Sequence, residues 1–231
     1  MPKRLYYLVL TFWFSFLFHS CQPLLTAESS DYDYFPLESG RYIIYDVQEQ
    51  QYALNAAHTL RSYQLKEVTG SVYSDVTGQP AYRLLRYRRS TQTQPWQADS
   101  IWSARMVNNE AIRTENGLDF VKLIVPVRDQ LSWNGNRYNI RGQDDYIVRN
   151  SKQPYRVFDK QFNETVTVVE QNDSTLVSQD KRIDVYAKGI GLIYKERVQV
   201  QFCSSSPACI GTYQIEYGIR QIYRINAYGK D

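Results

Sequence analysis

Three cysteines and two histidines are the residues of this 231-residue sequence best suited to covalent or acid–base chemistry. Cys21 follows a long uncharged run, whereas Cys203 and Cys209 lie close together near the other end. Two neighbouring thiols can form a disulfide in an oxidising compartment, and a thiol at the start of an exported chain can be acylated. A histidine such as His58 can activate a nucleophile if an orienting acid lies beside it.

The residues before Cys21 have the organisation of an export signal. Lys3 and Arg4 precede an apolar run, Leu5–Phe18, whose fourteen residues fall short of the roughly 20 that cross a bilayer. Ser20-Cys21 resembles the lipobox of bacterial lipoproteins, in which a small residue precedes the cysteine that is lipidated. We therefore predict export and lipidation of Cys21, with ordinary signal-peptidase cleavage near this position as the alternative.

The segment Cys-Ser-Ser-Ser-Pro-Ala-Cys joins the other two thiols. A close pair flanking a polar turn is expected to form a disulfide outside the cytoplasm, so we predict a Cys203–Cys209 bond. A metal site would require further Cys or His ligands close by, and none is present in the neighbouring sequence. We predict no metal and no cofactor.

The charge balance argues against a nucleic-acid partner. The formal net charge is +3, and loss of Lys3 and Arg4 with the signal leaves +1, too little for binding to a phosphate backbone. One basic cluster alternates with apolar residues and is interpreted as a solvated edge strand that resists unwanted pairing. The cluster comprises Arg83, Arg86, Arg88 and Arg89.

Alternating apolar and polar residues dominate the rest of the sequence. In Tyr213–Ile219 the odd positions are apolar, and Arg182–Lys188 and Leu192–Phe202 alternate in the same way. This period is typical of strands with one buried face, and pairs such as Asn116-Gly117 supply hairpin turns. We predict an all-β fold, an antiparallel curved sheet or incomplete barrel with at most one or two short helices. The candidate helical segments are Tyr52–Val68, whose second half is expected to be strand, and Val127–Trp133, which could form a single turn.

Three segments follow from these patterns. Residues 1–20 are predicted to be a lipoprotein signal peptide, and residues 21–33 a lipidated Cys21 followed by a flexible tether that lacks apolar periodicity. Residues 34–231 are predicted to form a single β-rich globular domain, a length that suits one core.

Four stretches resemble a group of uncharacterised bacterial envelope lipoproteins. They are Tyr34–Tyr45, Pro126–Asn139, Phe162–Val168 and Tyr186–Glu196. The resemblance implies a secreted lipoprotein with a β-sheet fold and no assigned activity. It supplies no catalytic residues to transfer to this chain.

A catalytic constellation is hard to find in the sequence. His58 is the only histidine after the signal, and the sequence has no Gly-x-Ser-x-Gly elbow. Asp144-Asp145 is interpreted as a solvated turn, since neighbours in a strand point to opposite faces. Trp96, Trp102 and Trp133 could line a ligand cleft or fill the core.

We therefore predict a non-enzymatic binding or structural module with no catalytic residues, held by Cys21 in the cell envelope, most simply at the outer membrane. Its ligand-binding residues cannot be assigned from sequence. Two alternatives remain open. One is a carrier of apolar ligands such as lipids in a β-barrel-like cavity. The other is a carboxylate-dependent glycan hydrolase, which needs two acids facing each other across a cleft.

Overall fold

The computed structural model describes residues 31–231 of the chain, which form twelve β-strands preceded by a 3-10 turn at Asp31–Tyr34. The predicted signal peptide and the lipidation site at Cys21 lie outside the described residues. In chain order the strands are β1 (Arg41–Tyr52), β2 (Thr59–Ser74), β3 (Pro80–Arg89), β4 (Gln97–Val107), β5 (Glu110–Glu115), β6 (Leu118–Ile124), β7 (Ser132–Asn134), β8 (Asp145–Val157), β9 (Lys160–Ser174), β10 (Ser178–Ala187), β11 (Gly191–Phe202) and β12 (Ile215–Lys230).

All twelve strands belong to one antiparallel sheet that is nearly closed. Its order is β6-β5-β4-β3-β2-β1-β12-β11-β10-β9-β8-β7, so two meanders are joined where β1 pairs with β12. The two terminal strands of the sheet approach each other, because Val121 of β6 donates its N–H to the carbonyl of Gly135 at 2.9 Å. The predicted all-β antiparallel fold with a curved or barrel-like sheet is confirmed.

The largest apolar cluster lies where the two ends of the sheet approach each other. Trp133 is buried there, its indole Nε1 donates to the carbonyl of Val121 at 2.8 Å, and its ring packs edge-on against Tyr146. Gly135 is required next to this contact, since a Cβ at that position would lie 2.3 Å from the Tyr146 ring. The Asn134-Gly135 turn therefore allows the Tyr146 ring to pack directly against the backbone.

Neither candidate helical segment is helical, whereas the strand predicted for the second half of Tyr52–Val68 is confirmed. Residues 53–58 form the turn between β1 and β2, and β2 begins at Thr59. Val127–Trp133 is also non-helical and runs into β7 at Ser132. The alanines and leucines of the first segment favour helix only weakly, and β2 gains ladder hydrogen bonds from both β1 and β3.

The interpretation of the arginine cluster as a strand edge is also wrong. These arginines lie on β3, which pairs with β2 on one side and β4 on the other and is an interior strand. Arg86 is only 8 % exposed, and its guanidinium lies over the ring of Trp102 at 3.6 Å from the ring centre. An arginine in a strand can therefore face an aromatic wall inside the sheet rather than solvent.

Two hydrogen bonds to distant parts of the chain hold the beginning of the domain in place. The carboxylate of Asp31 accepts a hydrogen bond from the Val127 N–H at 2.9 Å, and the Gly189 N–H donates to the Asp33 carbonyl at 2.8 Å. Asp31–Asp33 therefore belong to the folded domain rather than to the predicted tether. Within residues 31–231 no helix is long and apolar enough to cross a membrane.

Cys203 and Cys209 are joined by a disulfide, with their Cα atoms 5.6 Å apart. The bond closes the connection between β11 and β12. Because β11 begins beside the Asp33–Gly189 contact and spans about 35 Å, this loop lies at the opposite end of the sheet from Asp31.

Candidate functional site

A cavity of about 340 Å³ lies inside the curved sheet. Every strand except the short β7 contributes to its lining. The lining is dominated by ionisable side chains, seven basic and six acidic. The basic residues are Arg86, Arg113, Lys122, Arg141, Arg182, Lys195 and Arg197, and the acidic residues are Glu67, Glu115, Asp144, Glu170, Asp184 and Glu196.

The regular alternation of each strand brings these charges together. Asp184 of β10 lies opposite Lys195 of β11, and Arg182 lies opposite Arg197 two residues along. Cross-strand partners of an antiparallel pair point to the same face, so both pairs enter the cavity. The polar face of these strands is thus turned toward the cavity. In a sheet with one face in bulk solvent, the polar face would point outward instead.

Lys122 is the centre of the deepest ionic cluster. Its ammonium lies 2.6 Å from a carboxylate oxygen of Glu170 and 3.7 Å from one of Asp184, and the side chain is nearly inaccessible to solvent. Asp184 is also 3.4 Å from the ammonium of Lys195. These groups hold one another in place without a solvent shell.

The pKa values of this cluster follow from burial and neighbouring charge. Burial alone lowers the pKa of Lys122, but the carboxylates of Glu170 and Asp184 outweigh it and the pKa is raised well above its usual value. Burial raises the pKa of Asp184, whereas Lys195 and Lys122 lower it and prevail. Both groups are therefore charged at neutral pH, and the cluster is a true ion-pair network.

A second ionic cluster surrounds the indole of Trp102. Glu67 contacts Arg113 closely and lies 3.5 Å from the Arg86 Nε, and Arg113 also lies 3.2 Å from Glu115. The Arg86 and Arg113 guanidinium carbons are 3.6 and 4.9 Å from the centre of the Trp102 ring. The ring faces are therefore used by guanidinium groups and are poorly placed to stack on a sugar.

Three arginines lie in the outer part of the cavity, and we refer to Arg141, Arg182 and Arg197 as the arginine group. Arg182 is neutralised by Asp144 at 2.6 Å and by Asp180 at 2.8 Å. Arg197 donates from Nε to the Gln199 amide oxygen at 2.6 Å. Arg141 lies over the Phe120 ring, 5.5 Å from its centre.

Two of the cavity acids, Glu115 and Asp184, lack the raised pKa of a glycosidase general acid. A general acid in such an enzyme needs a raised pKa so that it holds its proton at neutral pH. Burial raises the pKa of Glu115, but the positive charges of Lys122 and Lys195 lower it further, and the pKa of Asp184 is lowered as well. The adjacent acids Asp144 and Asp145 have different partners. Asp144 binds Arg182, whereas Asp145 accepts hydrogen bonds from Gln143.

The remaining sequence candidates do not join a reactive group. His58 lies on the turn before β2 and contacts the Tyr52 ring, with ring centres 5.5 Å apart, and it does not line the cavity. Trp133 is part of the core, and Trp96 lies against Arg89. Across the described part of the chain, no group of three His, Cys, Asp or Glu residues is arranged to hold a metal ion.

The cavity also differs from the one an apolar carrier needs. A second, mostly apolar recess lies next to Phe35, Pro36 and Leu192, and its volume is only about 50 Å³. Ligand sites for small molecules usually measure about 300–1,000 Å³. The large space is lined by charges and the apolar space is small, so neither matches a lipid chain.

The sequence analysis does not predict the charged lining of the cavity, although one residue, Lys122, indicates it. Lys122 interrupts the apolar run Phe120–Val125, and both of its neighbours, Val121 and Leu123, are fully buried. A lone lysine in a strand of this kind is rarely buried unless it is paired, so it indicates a charged interior. Its partners on β9 and β10 could not be inferred from sequence alone.

No family model matches this sequence, and no curated protein matches it. Two solved structures are similar to the chain, each with a TM-score of 0.42 and 10 % sequence identity. One is a candidate exported protein with a YmcC-like fold from Bacteroides fragilis, and the match covers 84 % of this chain and 98 % of that one. The other is a candidate lipoprotein from Parabacteroides distasonis, with 85 % and 98 % covered. Values this low support no argument about function.

Proposed function

We propose that this chain is a lipoprotein of the bacterial cell envelope, anchored through Cys21 at the outer membrane, and that its domain binds a small polar ligand inside the barrel-like sheet without transforming it. The observation that carries the binding function is the charged cavity of about 340 Å³. Its size falls within the range of small-molecule sites.

The ion-pair network indicates that the cavity is a binding site rather than part of the structural core. A solid core of this size would be filled with apolar side chains, because burying charges costs more than burying hydrocarbon of similar volume. The network instead fixes Lys122, Glu170 and Asp184 before any ligand arrives. Polar groups held in place in this way lose little conformational entropy when a ligand binds.

The anchor is supported by the signal-like beginning of the sequence. The tripeptide His19-Ser20-Cys21 follows the apolar run, and nine residues lie between Cys21 and Asp31. A chain of that length reaches at most about 35 Å, so the domain would stay close to the lipid surface.

The binding function is tested by native mass spectrometry of the protein purified from its own envelope. We expect a retained small molecule, lost when the protein is unfolded and refolded. Gln199→Trp places a large ring in the cavity lining and should abolish the retained mass. Gln201→Trp is the control, since Gln201 is exposed on the same strand and does not line the cavity. An empty wild-type protein, or equal occupancy in the two variants, contradicts the proposal.

Replacing Cys21 by Ser should release the protein from membranes. The thiol would carry the diacylglycerol, and two buried acyl chains already give stable anchoring at about 0.8 kcal/mol for each CH₂. We expect the wild-type protein in the membrane pellet and the Cys21→Ser protein in the soluble fraction after cell disruption. The double variant Cys203→Ser, Cys209→Ser is the matched control and should remain in the pellet. A Cys21→Ser protein that pellets like the wild type excludes the anchor.

A further inference from the structure

The arginine group contains two guanidiniums without a carboxylate partner. Among the ion pairs of residues 31–231, none within 4.0 Å involves Arg141 or Arg197, although both line the cavity and both are exposed. Arg182 differs, because two aspartates neutralise it. The outer cavity therefore has a surplus of positive charge, while the deeper acids and bases pair with one another.

The register of the sheet places two of these arginines opposite each other. Arg182 and Arg197 are direct cross-strand partners, so their Cβ atoms are about 5 Å apart. Like charges in that relation oppose each other and destabilise the sheet. Asp144 and Asp180 neutralise Arg182, whereas Arg197 contacts the neutral amide of Gln199. A negatively charged ligand bound to Arg197 on the cavity face of these strands would offset the remaining repulsion.

Arg141 lies close to the same pair. Asp144, three residues further along the chain, binds the Arg182 guanidinium with both carboxylate oxygens, at 2.6 and 3.0 Å. This contact holds the loop that carries Arg141 against β10, and three residues span no more than about 11 Å. The Arg141 guanidinium lies over the Phe120 ring and has no hydrogen-bond or ion-pair partner among the described residues, so its five donors are available to a ligand.

The buried side-chain atoms without a hydrogen-bond partner in the described chain are all donors. They are the Nε of Arg86, Arg113 and Arg220 and the Nε1 of Trp102. The Nε atoms of Arg86 and Arg113 still lie 3.5 and 3.2 Å from the carboxylates of Glu67 and Glu115, so their charges are balanced. The uncompensated positive charge of the cavity therefore lies at Arg141 and Arg197.

We infer that the ligand of this cavity is a small oxyanion, a compound that bears a carboxylate or a phosphate, and that Arg197 and Arg141 bind the anionic group. This inference rests on the binding function proposed above. Guanidinium forks match both carboxylate and phosphate, because each offers two oxygens at the right spacing. The inner acids at Glu67, Glu170 and Asp184 are already paired and would repel a ligand that carried its charge deeper into the cavity.

The test is a calorimetric titration of the purified protein with defined probes at low salt. The anionic probes are inorganic phosphate, glucose 6-phosphate and glucuronate, which separate phosphate from carboxylate recognition. Glucose and choline are the neutral and cationic probes. We expect binding of at least one anionic probe, little binding of glucose or choline, and a loss of affinity when the NaCl concentration rises.

Two variants locate the binding group. Arg197→Gln and Arg141→Gln each remove one unpaired guanidinium, and each should weaken anion binding about 10-fold or more. Arg156→Gln is the matched control, because Arg156 is exposed, contacts Gln161 only, and lies outside the cavity lining. Circular dichroism checks that each variant remains folded, which we expect because all three arginines are exposed.

Each result decides between the two proposals. Anion binding that Arg197→Gln weakens and Arg156→Gln does not supports the inference. Tight binding of glucose or choline with no anion binding overturns the inference and leaves the binding function standing. If no probe binds, the charge of the molecule retained in the native mass spectrum decides: an anion supports the inference, and a neutral or cationic molecule overturns it. If no probe binds and no molecule is retained, both proposals fail.

Discussion

Replacing Lys122 by Met lowers the free energy of unfolding by about 3–5 kcal/mol. The substitution keeps the length and volume of the side chain but removes the ammonium that lies 2.6 Å from Glu170 and 3.7 Å from Asp184. Glu170 then retains only Arg182, at 3.9 Å, as a basic partner. The loss is large because two buried carboxylates become under-compensated, and not because the original pair is strong in itself.

The measurement is urea denaturation of the wild-type and Lys122→Met proteins, followed by tryptophan fluorescence. Lys181→Met is the control, since Lys181 binds Glu196 at 2.9 Å in a more exposed position. A pair of that kind contributes about 1 kcal/mol or less. Equal losses in the two variants contradict the view that the cavity network is a buried charge cluster.

Replacing Gly218 by Ala should disrupt the junction of the two meanders. Gly218 lies on β12 opposite Val200 of β11 and Tyr52 of β1, with a φ of 125°. An added Cβ would lie 2.2 Å from the Gln199 carbonyl oxygen and 2.7 Å from the Val200 Cα. Both are backbone atoms of the neighbouring strand, so the ladder itself must move apart.

We expect Gly218→Ala to cost at least about 3 kcal/mol, from backbone strain at a φ that only glycine adopts easily and from the lost ladder bonds. Gly142→Ala is the matched control, because a Cβ there meets no atom within 4 Å. Its unfolding midpoint should lie close to that of the wild type. A Gly218→Ala protein as stable as the Gly142→Ala protein refutes the close approach of β11 and β12.

The strands were predictable because alternation is a local property. The runs Arg182–Lys188 and Leu192–Phe202 fall within or across β10 and β11, and the Lys188-Gly189 pair forms the turn between them. Such patterns depend on the residues of one segment only. The Cys203–Cys209 bond followed from short spacing in the same way.

Apart from the signal at Lys122, the charged interior could not be predicted, because the usual rule assigns charged residues to solvent. That rule predicts Arg86 at the solvent-exposed edge of a strand, yet Arg86 is buried against Trp102. The rule assumes that one face of the sheet is wet and the other dry. In a sheet that curves around a polar space, charged side chains face inward and find partners from distant strands, such as Lys122 with Glu170.

The meaning of Asp144 was hidden for a related reason. An Asp-Asp pair at the start of a strand is most simply a solvated turn. Its role depends on Arg182, 38 residues further along the chain, whose guanidinium it binds with both oxygens. Long-range pairing of this type is fixed by the strand order of the whole sheet.

The pairing of β1 with β12 determines when folding can be completed. β12 is the last of the twelve described strands in chain order, yet it lies between β1 and β11 in the sheet. Until it docks, those two strands expose unpaired backbone amides and carbonyls that favour aggregation. Arg41 pairs with Lys230, so the last contact joins residues far apart in sequence, and contacts of this kind slow folding. Closure of the two half-sheets around β12 is therefore the step at which the unfinished domain is most exposed to misassembly.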